Sequence, residues 1–281
     1  GLTSYFRSQK EGLLPDFVKD SRGNIYNEIR VPMSDYQFGI YAKVRKVEIE
    51  KEKKMKTMRG KQKNIQNSEL FQISSTYRSS SRTCCNFAFP PEISRPTRLI
   101  KENDADGDNI DESTEDETNN LETLKEYKNK IDDTLIKLKE SSKQIYSESA
   151  LKIYSPKMLE IVRRIKNRDY EGLHLLYSAF RTLEGIGIFQ QVLEEHGFQE
   201  FKIKQKDGNW DLDFERDGRP CYVLYTGTEK TEYREIMRNI YNGNLKQPEV
   251  PKTITDKLSG NNHEGDIIKL FMITAAGAEG I

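Results

Sequence analysis

Three short apolar runs in the second half of the chain end in small and hydroxyl-bearing residues, and these positions have the types and spacing that could do chemistry. His174-Leu175-Leu176-Tyr177 leads into Ser178-Ala179-Phe180-Arg181, and Tyr222-Val223-Leu224-Tyr225 leads into Thr226-Gly227-Thr228. Leu270-Phe271-Met272-Ile273 leads into Thr274-Ala275-Ala276-Gly277-Ala278-Glu279-Gly280. Hydroxyls and exposed backbone N–H groups donate to phosphate oxygens, and residues without bulk let a second chain come close. Ser178, Thr226, Thr228 and Thr274 therefore read as phosphate donors, against the ordinary alternative of strand-end caps and tight turns. Phe180 reads as a core side chain or as a base-stacking surface.

Such loops act together only if a scaffold brings their strands out on one side. From Pro156 the pattern alternates: helix Pro156 to Lys166, strand His174 to Ser178, helix Gly185 to His196, and a strand near Phe201. It continues with strand Tyr222 to Tyr225, helix Thr231 to Asn239 and strand Ile267 to Thr274. Short apolar strands alternating with helices predict a parallel sheet covered by helices, an α/β fold whose ligands gather at the carboxyl ends of the strands. The polar stretches Gln205 to Pro220, with a hairpin around Trp210 and a turn at Asp217-Gly218, and Gly243 to Gly265 read as surface insertions.

The first half is different in kind. Ser34 or Asp35 caps a helix expected from Asp35 to Met58, whose second half is dense in Lys, Arg and Glu and projects into solvent. Residues Phe71 to Pro90 read as a helix stopped by prolines and docked through Cys84, Phe87 and Phe89. Glu102 to Asn120 has Ile110 as its one sizeable apolar residue and is expected to be a disordered acidic linker. Asp104, Asp106, Asp108 and Glu115 in it match a calcium loop at four places, but Asn109 and Asp111 stand where that loop needs Gly and an apolar residue, which favours the linker. Leu121 to Tyr146 returns to helical spacing as a surface helix.

Several classes of function are excluded or weakened. The 45 basic and 45 acidic residues cancel, so nucleic acid would meet local patches and not a uniformly basic coat. Cys84, Cys85 and Cys221 make no CxxC pair, and His174, His196 and His263 are scattered, so neither a zinc site nor a catalytic triad is expected. No apolar run is long enough to cross a membrane, and the chain is expected to be soluble and intracellular. There is no GxxxxGK[ST] phosphate loop, because Gly60-Lys61 is followed by Gln62 and lacks the earlier glycine. The chain opens on Gly1 and stops at Ile281 inside the third loop, so it is expected to be part of a longer polypeptide.

In order along the chain, the segments resemble the superfamily II helicases and translocases of the chromatin-remodeller-like branch. Val31-Pro32-Met33-Ser34-Asp35-Tyr36-Gln37 with Tyr41 is similar to the family's connector after its first lobe. Arg82 to Pro90, with Cys84-Cys85-Asn86, is similar to its Cys-Asn-x-Pro helix end, and Ser155-Pro156-Lys157 to the Ser-x-Lys start of its second lobe. Tyr177 to Phe180 resembles motif IV, and Tyr225 to Thr228 with Arg234 and Ile240-Tyr241-Asn242 resembles the glycine-bearing strand end and the helix after it. Ile273 to Ile281 resembles motif V. Tyr36-Gln37-Phe38 and Arg181 to Gly187 are closest in wording to helicases of large DNA viruses, poxvirus-like and giant-virus members included.

The resemblance implies a RecA-like second motor lobe at 151–281, cut at motif V, preceded by the tail of a first lobe or connector at 1–30. A helical connector at 31–101, the acidic linker at 102–120 and a surface helix at 121–150 lie between them. Nucleic acid, DNA or RNA, would be held by Ser178, Phe180, Thr226, Gly227, Thr228 and Thr274. Gly277, Glu279 and Gly280 would face the nucleotide, with Glu279 on the ribose, on a water, or merely paired to a neighbouring base. ATP and Mg²⁺ are implied for the full-length protein and none for this part alone, which lacks the motif VI arginine and so carries no catalytic residue. Implied partners are the first motor lobe and viral transcription machinery, in a viral factory, virion or nucleus. A non-catalytic scaffold and the lobe of a restriction or repair translocase remain open alternatives.

Overall fold

The computed structural model describes residues 19, 23, 28–59, 78–96, 121–227 and 229–275. The chain divides into two compact units, Gly1–Pro32 and Met33–Ile281. In the first, exposed Glu28 and Arg30 pair at 3.6 Å. The sheet and the helices around it belong to the second. The stretch 102–120, expected as a linker, lies outside the described residues.

Helix α1 spans Asp35–Arg59 and starts where the sequence provides a cap. The Ser34 hydroxyl accepts from the Gln37 N–H at 3.0 Å and donates to the Ile153 carbonyl. Its first turn is anchored: the Tyr36 hydroxyl donates to the Phe89 carbonyl at 2.7 Å, and the buried Gln37 amide donates to the Cys84 carbonyl at 2.8 Å. Helix α2, Ser79–Cys84, begins after Arg78 in the left-handed region and has no side-chain cap of its own. Glu48 of α1 supplies one, its carboxylate accepting from the Ser81 N–H at 2.9 Å. Beyond α2 the chain extends to Pro90, with Cys84, Phe87 and Phe89 buried.

Helices α3 (Leu121–Glu140), α4 (Ser142–Tyr146), α5 (Glu148–Tyr154) and α6 (Pro156–Lys166) follow. Ser155 caps α6, accepting from the Met158 N–H at 3.2 Å, with Pro156 at the first helical position where its missing N–H costs nothing. The charge-rich α3 still buries Ile131 and Leu138, so one stripe of this surface helix joins the core.

The sheet comprises β1 (His174–Tyr177), β2 (Gln199–Glu200), β5 (Cys221–Tyr225) and β6 (Leu270–Ile273), in the order β1-β6-β5-β2 with every neighbouring pair parallel. Helix α7, Ile186–Glu195, crosses from β1 to β2, and α8, Thr231–Tyr241, and α9, Lys252–Thr255, lie between β5 and β6. β6 is buried at all four residues because both its faces are covered, which is why it reads as an unbroken apolar run. Tyr222, Leu270 and Met272 pack with α3 to α7 on one face, while Val223, Phe271 and Ile273 pack with α8 and α9 on the other. This is the helix-flanked parallel sheet expected of a RecA-like lobe. β1 is first in the strand order, and its Leu175 and Tyr177 are 58% and 57% exposed.

Of the two stretches expected as surface insertions, one is as read. β3 (Ile203–Lys206) and β4 (Asn209–Leu212) form an antiparallel hairpin containing Trp210. Its tip is Asp207-Gly208, both at positive φ as a tight hairpin turn demands. The other is corrected: within Gly243 to Gly265, Val250, Ile254 and Leu258 are buried, and Asn262 is 0% exposed. The Asn262 side chain donates to the Tyr241 and Ile268 carbonyls and accepts from the Ile267 and Ile268 N–H groups at 2.8 to 3.0 Å. A stretch of polar composition thus folds into the core by satisfying its polar groups internally.

Candidate nucleic-acid interface

Strand register decides where the candidate residues meet. Tyr177 pairs with Ile273, and Ile273 pairs with Tyr225, so β1, β6 and β5 end level with one another. Ser178, Thr274 and Thr226 are the next residues of each strand. They leave the sheet side by side in that order, at the roughly 4.8 Å spacing of neighbouring strands. The structure therefore brings together three residues that are 48 to 96 positions apart in sequence.

Their hydroxyls are already engaged. The Ser178 Oγ donates to the Phe180 carbonyl at 2.8 Å and accepts from the Phe180 N–H at 3.1 Å, closing a local turn. The Thr274 Oγ1 donates to the Thr226 carbonyl at 3.1 Å, and Thr274 is 6% exposed instead of standing in an open loop. The Thr226 hydroxyl donates to Glu229 at 2.7 Å, and the Thr226 and Gly227 N–H groups both donate to the same carboxylate at 3.0 Å. Glu229, which strand-end composition does not single out, fills the cradle that small residues at a strand end were expected to open to phosphate. Thr228, Gly277, Glu279 and Gly280 lie outside the described residues.

Cationic side chains flank the β1 end of the row. The Arg82 guanidinium of α2 lies over the Phe180 ring at 5.3 Å from its centroid, a contact that covers one ring face. Lys157, in the first turn of α6, donates to the Asn86 side-chain oxygen at 2.9 Å. The Ser155 hydroxyl donates to the Asn86 carbonyl, so the two motifs Arg82 to Pro90 and Ser155 to Lys157 interlock. A cavity of about 590 Å³ opens here, with Arg82, Asn86, Lys157, Ser178 and Phe180 in its wall. Spacing could not have revealed this pairing, because the residues that face one another belong to separate elements.

The close approach of the loop to α7 has a steric origin. A Cβ on Gly185 would lie 1.7 Å from the Phe180 carbonyl oxygen. The Ile186 N–H donates to that same carbonyl at 3.0 Å. Among the described residues no group of three or more His, Cys, Asp and Glu side chains could hold a metal ion, and no helix is long and apolar enough to cross a membrane.

No family model matches the chain, and no solved structure matches it. A protein of Acanthamoeba polyphaga mimivirus that carries the provisional name ATP-dependent RNA helicase is 29% identical over 89 residues. The matched stretch is 32% of this chain and 13% of that protein, so the similarity concerns a small part of the relative. It supports a loose helicase relationship.

Proposed function

We propose that the chain supplies the second motor lobe of an ATP-dependent nucleic-acid helicase or translocase, and that its role there is to grip the nucleic-acid backbone. The observation that carries the reading is the level row Ser178, Thr274 and Thr226 at the carboxyl edge of a parallel sheet, flanked by Arg82 and Lys157. That edge is where open α/β sheets bind ligands. The similarity to a protein named as an RNA helicase points the same way. In this reading Gly277, Glu279 and Gly280 face the nucleotide. In this reading ATP and Mg²⁺ are held mainly by other residues of a longer protein, since the sequence has no GxxxxGK[ST] phosphate loop.

Binding follows from the same geometry. The purified chain is expected to bind single-stranded DNA and RNA at about 10⁻⁴ to 10⁻⁶ M, weakening as salt rises. It is expected to hydrolyse no ATP by itself. Fluorescence anisotropy with labelled oligonucleotides, at low and at physiological salt, measures the first. No binding to either polymer at low salt would remove the reading.

A further inference from the structure

We infer that the groove between α2, α6 and the end of β1 is a phosphate-tracking channel, in which Arg82 and Lys157 take successive phosphates of a single strand entering the lobe. The inference rests on the motor-lobe reading and adds to it a place and two residues. It moves the electrostatic grip from the strand-end hydroxyls to cations carried by the helical region before the sheet.

Charge accounting around the groove selects these two residues. Of the four charged groups besides His174 in its wall, Arg164 is paired with Glu160 at 2.8 Å, and Glu184, 3% exposed, is paired with Arg95. Arg82 contacts an aromatic face and Lys157 a neutral amide, so among the described residues neither has a carboxylate partner. Burial pushes the Cys85 thiol up, with Lys157 and Arg82 opposing and Glu48 adding to the rise, so both cations lie within electrostatic reach of one residue; Glu48 is itself paired with Arg45 at 3.2 Å. Two exposed, uncompensated cations held by neutral groups beside a common wall leave their charge available to an anion.

The far end of the row is unsuited to the same task. At β5 the donors are taken by Glu229, and a phosphate there would meet a carboxylate. The two ends of the edge therefore differ: Arg82 and Lys157 stand beside β1, whereas at β5 the backbone donors are already bonded to Glu229. The lining of the groove also includes the apolar Ile161, Leu176 and Phe180, which suits the faces of unstacked bases better than a hydrated duplex.

The test uses the 281-residue chain with a fluorescein-labelled oligothymidylate and the matching oligouridylate. Binding is followed across a sodium chloride series for wild type, Arg82→Gln, Lys157→Gln, the double variant and Arg82→Lys. The slope of log affinity against log salt should fall by about 0.7 for each single-strand phosphate that is no longer neutralised, hence by about 1.4 in the double variant. Arg82→Lys, which keeps the charge, should keep the slope. Thermal melting of each variant identifies any that fails to fold, and bound oligonucleotide should slow alkylation of Cys85 in wild type. Wild-type binding with an unchanged slope in a folded double variant would overturn the channel while leaving the motor-lobe reading intact. Absence of binding by wild type would overturn both. Inorganic phosphate that displaces the oligonucleotide better than sodium chloride of equal ionic strength would overturn the backbone assignment in favour of an isolated phosphate site.

Discussion

The Thr274 hydroxyl has one proton to give, and it gives it to the Thr226 carbonyl across two adjacent strand ends. Thr274→Val keeps the shape and removes the donor, so the hydrogen bond from this buried side chain to the Thr226 carbonyl is lost. We expect a loss of about 1–3 kcal/mol in unfolding free energy, measured by urea denaturation, with the two loops no longer tied. Asn262 carries more, since all its side-chain hydrogen bonds are made to the Tyr241, Ile267 and Ile268 backbone at a fully buried site. Asn262→Ala should cost at least about 3 kcal/mol by the same measurement. The cysteines divide by burial. Cys84 is buried and its thiol is pushed up to about 11, whereas Cys85 is only half-buried. Alkylation of the native chain at neutral pH should therefore modify Cys85 before Cys84 or Cys221, as peptide mass mapping would show.

Among the elements, α7 and the turn before it set the shape of the β1 edge. Gly185 has an ordinary φ of −113°, so its requirement is for space, and the space is occupied by the Phe180 backbone. Gly185→Ala must push the Phe180 carbonyl away from the Ile186 N–H. Such overpacking against backbone costs roughly 1–3 kcal/mol or more. Thermal melting should register the loss, and oligonucleotide affinity should fall with it because Phe180 is the ring on which Arg82 rests. Helix α2 depends on another element in a comparable way. Its N-terminal N–H is capped by Glu48 from α1, and the Gln37 amide of α1 holds its last carbonyl. Helices α1 and α2 are thus fixed to one another, and Ser34, at the start of α1, ties them to α5.

At the scale of the molecule, the 45 basic and 45 acidic residues cancel, and some of the described ones pair locally, Arg45 with Glu48 and Glu52 and Arg164 with Glu160. Stability should depend on pH through two half-buried imidazoles. Burial holds His174 and His196 below the ordinary value of 6.5, with the Lys269 charge adding to the effect at His174. As pH falls, the unfolded chain takes up these protons before the folded one. The stabilisation is complete above about 6.5 and declines below it, toward the lower folded values. His196→Gln should flatten the fall in melting temperature between about pH 7 and pH 5. An unaltered slope in that variant would mean that His196 titrates normally in the folded chain.

Much of this arrangement is legible in the sequence because local physics settles it. The Ser155-Pro156 start of α6 and the unbroken apolar run of β6 each follow from capping and from burial on two faces, and the parallel helix-covered sheet follows from their alternation. The candidate row Ser178, Thr226 and Thr274 follows from strand-end composition alone. What composition cannot supply is which groups those side chains already satisfy: Glu229 accepts from the Thr226 hydroxyl and the Thr226 carbonyl from the Thr274 hydroxyl, over distances that only the folded loops define. Nor can it show that Asn262 is buried, because polarity marks a residue as surface until a backbone closes around it. Arg82 and Lys157 reach one groove only because α2 and α6 dock through Asn86 and Ser155. Register, which places Tyr177, Ile273 and Tyr225 level, is a property of the assembled sheet, where β6 is buried on both faces and a one-residue slip of a neighbouring strand would turn its side chains to the opposite face.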